Sequence, residues 1–219
     1  MRDYAAFTTL ITTKLQSAGT VDWSVAEVDY QIEECLKEFS TYRPHLHPVI
    51  FKIESRYGVA STTSANNLVD STKGQFLAAD ATDEKVVYNA TDNTRAVVLS
   101  QANTAEIGLS RDIFVVNEQY RIYNKQCWNK KQVYIGDMVD WEKINSVEYP
   151  IGEKRNWEIP EAGILELRVA AVADSDASTI KAGTTLPDVD VLVKFSRPHI
   201  LSQLTDWVGK FAATAAAGA

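Results

Sequence analysis

Apolar residues recur at helical spacing towards the two ends of the chain and at strand spacing between them. Near the start, Phe7, Leu10, Ile11 and Leu15 fall three and four residues apart, interrupted only by Lys14. That is the stripe of an amphipathic helix. Ser17-Ala18-Gly19-Thr20 ends it, since glycine accepts the left-handed conformation that commonly follows a helix. A second helix is expected from about Asp22 or Ser24. Ser24 and Glu27 have the S-x-x-E spacing of a capping box, in which each side chain caps the other's backbone N–H. Val25, Val28, Ile32, Cys35, Leu36 and Phe39 mark its apolar face, and Glu27, Glu34 and Glu38 decorate the opposite side. Pro44 and Pro48 stop it, because proline lacks the N–H that a helix interior needs. The short connection predicts an antiparallel helix pair over 1–47.

From Val49 the period changes to that of strands. Val49–Glu54 reads as one, and Lys85–Tyr88 and Ala96–Ser100 as two more, separated by the turn-forming Thr91-Asp92-Asn93-Thr94. Ile113–Val116, Tyr120–Tyr123, Gln132–Ile135, Asn145–Tyr149, a longer Ile164–Val172 and Val189–Phe195 continue the series. Many short strands at regular spacing predict an antiparallel sandwich or barrel over 48–196, with a smaller inserted β module at about 61–123. Helical spacing returns after Pro198, at Ile200, Leu204, Trp207, Val208 and Phe211. The expected fold class is therefore α+β. The helix pair and a C-terminal helix over 197–219 pack together as a helical base, and the β region is one long insertion. The alanine-rich end, Ala212 to Ala219, suggests a chain that continues beyond it.

Composition narrows the function. At 219 residues with 45% hydrophobic content, the chain can bury a core without disulfides or metal. A formal net charge of −7 argues against tight nucleic-acid binding, which needs a basic face to release counterions. An acidic surface near DNA would instead repel phosphate and let DNA slide. Cys35 and Cys127 lie in different expected elements and read as buried free thiols, in keeping with a reducing compartment. The N-terminus lacks the apolar core of a signal peptide. No apolar run approaches the roughly 20 residues of a membrane span.

Candidate chemistry is sparse. The sequence holds no G-x-S-x-G, Walker-type loop, G-x-G-x-x-G or H-E-x-x-H. His45 and His47 could share one side of an extended segment but lack an evident third ligand, so a polar corner is the simpler reading. Asp174-Ser175-Asp176 resembles the start of a calcium loop without its later ligands and reads as a hairpin tip. Lys125–Lys131 mixes basic residues with Trp128; it could stack on single-stranded nucleic acid or be a surface hairpin. Glu142, Glu148 and Glu153 carry no pairing signal. Tyr120, Tyr123, Trp128, Tyr134, Trp141, Tyr149 and Trp157 crowd one stretch, as core, as a subunit interface or as a glycan platform. No catalytic residue, metal or cofactor is assigned, and the chain is not expected to be an enzyme.

Three segments carry a resemblance. DYQIEECLKEFSTYRP closes the helix pair. NLVDSTKGQF, KVVYNATDNTRAVVLSQAN and IGLSRDIFVVNEQYRIYN form the β module. INSVEYPIGEKRNWEI and VDVLVKFSRPHIL lead into an Arg-Pro-His corner. In order and texture these resemble the head-to-tail connector (adaptor) proteins of tailed bacteriophages. The resemblance implies a virion structural protein, assembled in the host cytoplasm and sited at the neck. It implies a ring of about twelve copies docked on the portal protein, contacting closure, tail-tube or fibre proteins and passing DNA through its lumen. Ile200, Leu204, Trp207, Val208 and Phe211 would then touch the portal or a neighbouring subunit, and Glu27, Glu34 and Glu38 would face the lumen. Another neck or tail component (a head-closure, tail-tube or decoration protein) and a glycan-binding β module are the alternatives.

Overall fold

The helical spacing around residues 25–42 becomes a single helix, α1 (Val25–Tyr42). The structure, a computed structural model, describes residues 25–175 and 189–199 together with Thr9 and Thr13. Apart from Thr9 and Thr13, the first helix of the expected pair lies outside the described residues, as do the Ser24 half of the capping box and the C-terminal helix. The expected apolar face of α1 is only partly buried. Val28 and Ile32 are buried, but Phe39 is half exposed and Cys35 is exposed. This corrects the reading of Cys35 as a buried thiol: the buried stripe is narrower than the apolar one, and at its C-terminal end the buried position is Ser40. Its hydroxyl donates to the Leu36 carbonyl at 2.6 Å.

The strands follow as β1 (His45–Lys52), β2 (Tyr57–Val59), β3 (Asn67–Val69), β4 (Val86–Asn89), β5 (Thr94–Asn103), β6 (Glu106–Leu109), β7 (Gln119–Tyr123), β8 (Gln132–Tyr134), β9 (Lys143–Glu148), β10 (Lys154–Arg155), β11 (Trp157–Glu161), β12 (Ile164–Leu167) and β13 (Asp190–Arg197). A single helical turn, α2 (Ala79–Thr82), precedes β4. The fold is α+β with mostly antiparallel strands. Sheet orders are β1-β13-β9-β10, β11-β12-β8 and β2-β7-β4-β5-β6-β3.

Among the described residues the chain divides into two compact units. One holds 25–47, 140–144 and 195–199; the other holds 48–139, 145–175 and 189–194. The six-stranded sheet of the larger unit is a curled half-barrel. Register shifts on β5, between Val98 and Ser100 and between Gln101 and Asn103, bend it, because an extra residue on one strand locally increases twist. Beyond β2, the Ser61 N–H donates to the Val69 carbonyl and Thr62 bridges Val69, so the two ends of the sheet approach each other. The concave side is filled by Leu68, Phe76, Val87, Ala96, Val98, Ile107, Phe114, Tyr120 and Ile122. Gly58 is required there, since a Cβ would lie 2.5 Å from both the Tyr120 hydroxyl and the Asp70 carboxylate.

Several expected strands move for identifiable reasons. Ile113–Val116 is not a strand, because side chains take its backbone groups. The Ile113 carbonyl accepts from Asn89 Nδ2, the Val115 N–H donates to Glu118 and the Val116 N–H to Thr63 Oγ1. The ladder of Ile164–Val172 stops at Leu167, and the Val169 carbonyl accepts from Lys131 Nζ instead. Pro48 does not end a helix but sits inside β1. β1 is an edge strand, where a missing N–H costs no ladder bond.

Candidate functional site

The acids expected to line a channel sit on α1. Glu27, Glu34 and Glu38 are all exposed. Seven residues separate the first two and four the last two, which places them along one side of a helix. Glu34 pairs with Lys37 at 2.6 Å, in solvent where salt screens such a contact. The same helix presents Tyr30, Phe39 and Tyr42 to solvent, with exposures of 59%, 50% and 82%. Ile200, Leu204, Trp207, Val208 and Phe211 lie outside the described residues.

The histidines converge more than their spacing suggested. His45 and His47 have ring centroids 6.5 Å apart, and His199 comes edge-on to His45 at 5.7 Å. His199 packs on Phe39, its backbone N–H donates to Ser40 Oγ, and its Nε2 lies 3.0 Å from the Arg43 carbonyl. Burial, then the neighbouring His199, His47 and Arg197, holds the His45 imidazolium below its ordinary pKa. Only sequence-distant packing brings His199 in, so no local pattern could have shown it. Among the described residues no group of His, Cys, Asp and Glu is placed to hold a metal ion.

A larger constellation was missed because its members are scattered through the sequence. Arg56 is fully buried beneath the half-barrel. Its Nε and Nη2 donate to the two Glu54 carboxylate oxygens at 2.9 and 2.7 Å. Nη1 and Nη2 donate to Asp80 at 3.0 and 2.5 Å, and Nη1 also reaches the Gln75 carbonyl. Lys85 Nζ completes the group, 2.5 Å from Glu54 and 3.5 Å from Asp80. Two acids and two bases balance. Burial raises the Glu54 carboxyl, but Arg56 and Lys85 outweigh it and hold it at about 2. Beside this group the Tyr120 hydroxyl donates to Asp70 at 2.7 Å and accepts from Gln75 Nε2 at 2.7 Å. Burial and Asp70 push its pKa far up. With Arg56 2% exposed and Asp80 wholly buried, these two side chains meet no solvent-borne substrate. They are arranged to fix the fold.

The accessible chemistry lies elsewhere on the half-barrel. A solvent-open cleft of 540 Å³ is floored by Val86, Val97 and Cys127 and rimmed by Arg95, Arg111, Lys125 and Trp128, with Glu84 and Glu161. The Arg95 guanidinium stands 4.1 Å over the Trp128 ring and 5.0 Å over Tyr88. Trp128 is 46% exposed. Lys125 pairs with Glu84 at 2.7 Å.

No family model, curated protein or solved structure matches the chain. The remaining readings therefore rest on geometry. Asp174 accepts from Arg121 and Lys130 at 2.9 and 2.8 Å, an ion-pair role for the segment that resembled a calcium loop. Trp141 packs on Phe195 at 5.5 Å, and Trp157 is half-buried in β11. Of the crowded aromatics, Tyr120, Tyr123 and Tyr149 are core. Trp128 alone among the three tryptophans is strongly exposed, and Arg95 covers one face of its ring. Cys127 is buried, and burial pushes its thiol up to about 12, which keeps it protonated and unreactive. No helix among the described residues is long and apolar enough to cross a membrane.

Proposed function

We propose that this chain is a structural subunit of a tailed-phage neck: an adaptor that forms a ring of about twelve copies under the portal and lines the DNA exit channel. The surface of α1 carries the reading. Five acids and one base occupy its eighteen residues, interleaved with the exposed Tyr30, Phe39 and Tyr42. Large aromatics exposed on a helix are what a subunit interface uses, and a row of carboxylates repels DNA phosphate. In this reading the first N-terminal helix and the C-terminal helix complete a helical base with α1. Ile200, Leu204, Trp207, Val208 and Phe211 meet the portal or the next subunit. Glu27, Glu34 and Glu38 face the lumen, and closure, tail-tube or fibre proteins bind the other end. The protein acts by shape and charge, without chemistry of its own, in the virion after assembly in the host cytoplasm.

Electron microscopy and mass photometry of the purified protein, with and without portal protein, test the proposal. Rings on the portal are expected. A chain that stays monomeric in both conditions would end it. Within a ring, reversing Glu27, Glu34 and Glu38 to lysine should slow DNA ejection while assembly persists.

A further inference from the structure

The cleft beside Trp128 is the least explained part of the surface. The chain carries a net charge of −7, yet this cleft gathers Arg95, Arg111 and Lys125. Lys125 is neutralised by Glu84. Among the described residues no carboxylate pairs with Arg95 or Arg111. Arg95 is held by ring faces instead. Its Nε is buried without a hydrogen-bond partner, and its guanidinium lies over Trp128 and Tyr88. Stacking fixes the plane of a guanidinium while leaving its edge available for a carboxylate. Arg111 is exposed. The floor supplied by Val86, Val97 and Cys127 is apolar.

We propose that this cleft receives a segment of a partner protein that presents an aromatic or large aliphatic side chain next to a carboxylate. The apolar side chain packs on Val86, Val97 and the open part of Trp128. The carboxylate is taken by Arg95 and Arg111. Charge complementarity selects this occupant. Two cations without acidic partners ask for an anion, and an open cleft of this size suits a few side chains of a larger partner. Glu84 and Glu161 on the rim disfavour a nucleic-acid strand, which would bring a phosphate at every residue. The assignment does not rest on the ring reading and holds for the protein as a single copy.

The test is a selection of short random peptides on the full-length protein. The Trp128 indole N–H resonance, assigned through Trp128→Phe, is then followed with each selected peptide. Enriched sequences should pair an acidic with an aromatic or aliphatic residue and should shift the Trp128 signal. Affinity should fall about tenfold for Arg95→Gln and again for the exposed Arg111→Gln, and should weaken with salt. Unchanged circular dichroism of both variants separates lost binding from lost folding. No enrichment, enrichment of neutral or basic sequences, or binding indifferent to both arginines would overturn the proposal. So would oligothymidylate that moves Trp128 at lower concentration than any peptide, which would reassign the cleft to phosphate.

Discussion

The half-barrel and helix α1 treat their difficult side chains in opposite ways. In the half-barrel even the charges are inside: Arg56, Glu54, Asp80 and Lys85 satisfy one another, and the Tyr120 hydroxyl bridges Asp70 and the Gln75 amide. On α1 even the aromatics are outside, with Tyr42 82% exposed and only Val28, Ile32 and Ser40 buried among the residues whose side chains are described. The first region settles its buried charges within a single copy. The second displays what a partner would cover. Substitutions in the buried charge group of the half-barrel should therefore change stability, and substitutions on the surface of α1 should change association.

The largest effect is expected at Arg56. Replacing it with methionine leaves Glu54 and Asp80 buried against a single cation, Lys85. Removing one partner of a buried ionic group costs about 3–5 kcal/mol. Urea unfolding should show a loss of that order for Arg56→Met, and a loss below about 1 kcal/mol would mean that the half-barrel does not depend on its buried charges.

Acid should dismantle the same group more gradually. The Glu54 carboxyl lies at about 2 in the folded protein against an ordinary 4.5. A depressed carboxyl means that the unfolded chain binds the proton more readily. The stabilisation is therefore fully present above the ordinary value and is lost as pH falls towards the folded one. It amounts to on the order of 3 kcal/mol. Stability measured down through this range should decline for the native protein. Glu54→Gln, already weaker, should decline less, and equal slopes would remove Glu54 from the account.

Local pattern reached some of this and not the rest. The hairpin from β4 to β5 was legible because its signals are local: alternating apolar residues around Thr91–Thr94, with Asn93 at positive φ as the turn requires. Helix α1 was legible by spacing, but its exposed face was not. Period gives an apolar stripe, whereas burial depends on what packs against it, as Cys35 and Phe39 show. Ile113–Val116 misled because its alternation is real while its backbone is claimed by Asn89, Glu118 and Thr63 from elsewhere. Arg56 carries no local signal, since nothing in the sequence links it to Asp80 24 residues away. The Trp128 cleft draws on β4, β5, the turn after β6, the β7–β8 loop and β11, so its arginines meet only in three dimensions.

A smaller pH effect belongs to the histidines. His45 faces His47 on its own strand, with His199 and Arg197 at and just beyond the end of β13. Its imidazolium is disfavoured, so its stabilising contribution is present above its ordinary pKa of 6.5 and fades as pH falls below it. The partial exposure of the site lets solvent screen much of this, which ranks it below Glu54. Proton NMR should find the His45 ring titrating below an ordinary imidazole. Thermal melts of His45→Asn should be flatter than those of the native protein across the same interval. A His45 ring that titrates above 6.5 would mean that an unseen anion sits there.

The smallest effect on folding should come from Tyr30→Ala and Tyr42→Ala. Both side chains are mostly in solvent, so truncation removes little buried area, and alanine is the better helix former by about 0.5 kcal/mol. Unfolding free energy should stay within about 0.5 kcal/mol of the native value. Assembly should respond quite differently. An aromatic anchor at an interface costs about 2 kcal/mol or more when cut to alanine, roughly a thirtyfold loss per contact, and a closed ring repeats that contact at every subunit. The double variant should therefore remain folded by circular dichroism while rings on the portal disappear. Full ring formation would show that these aromatics serve no partner. A loss of folding stability above about 2 kcal/mol would show that they are covered within the single chain, and the contrast between the two regions would then fail from the side of α1.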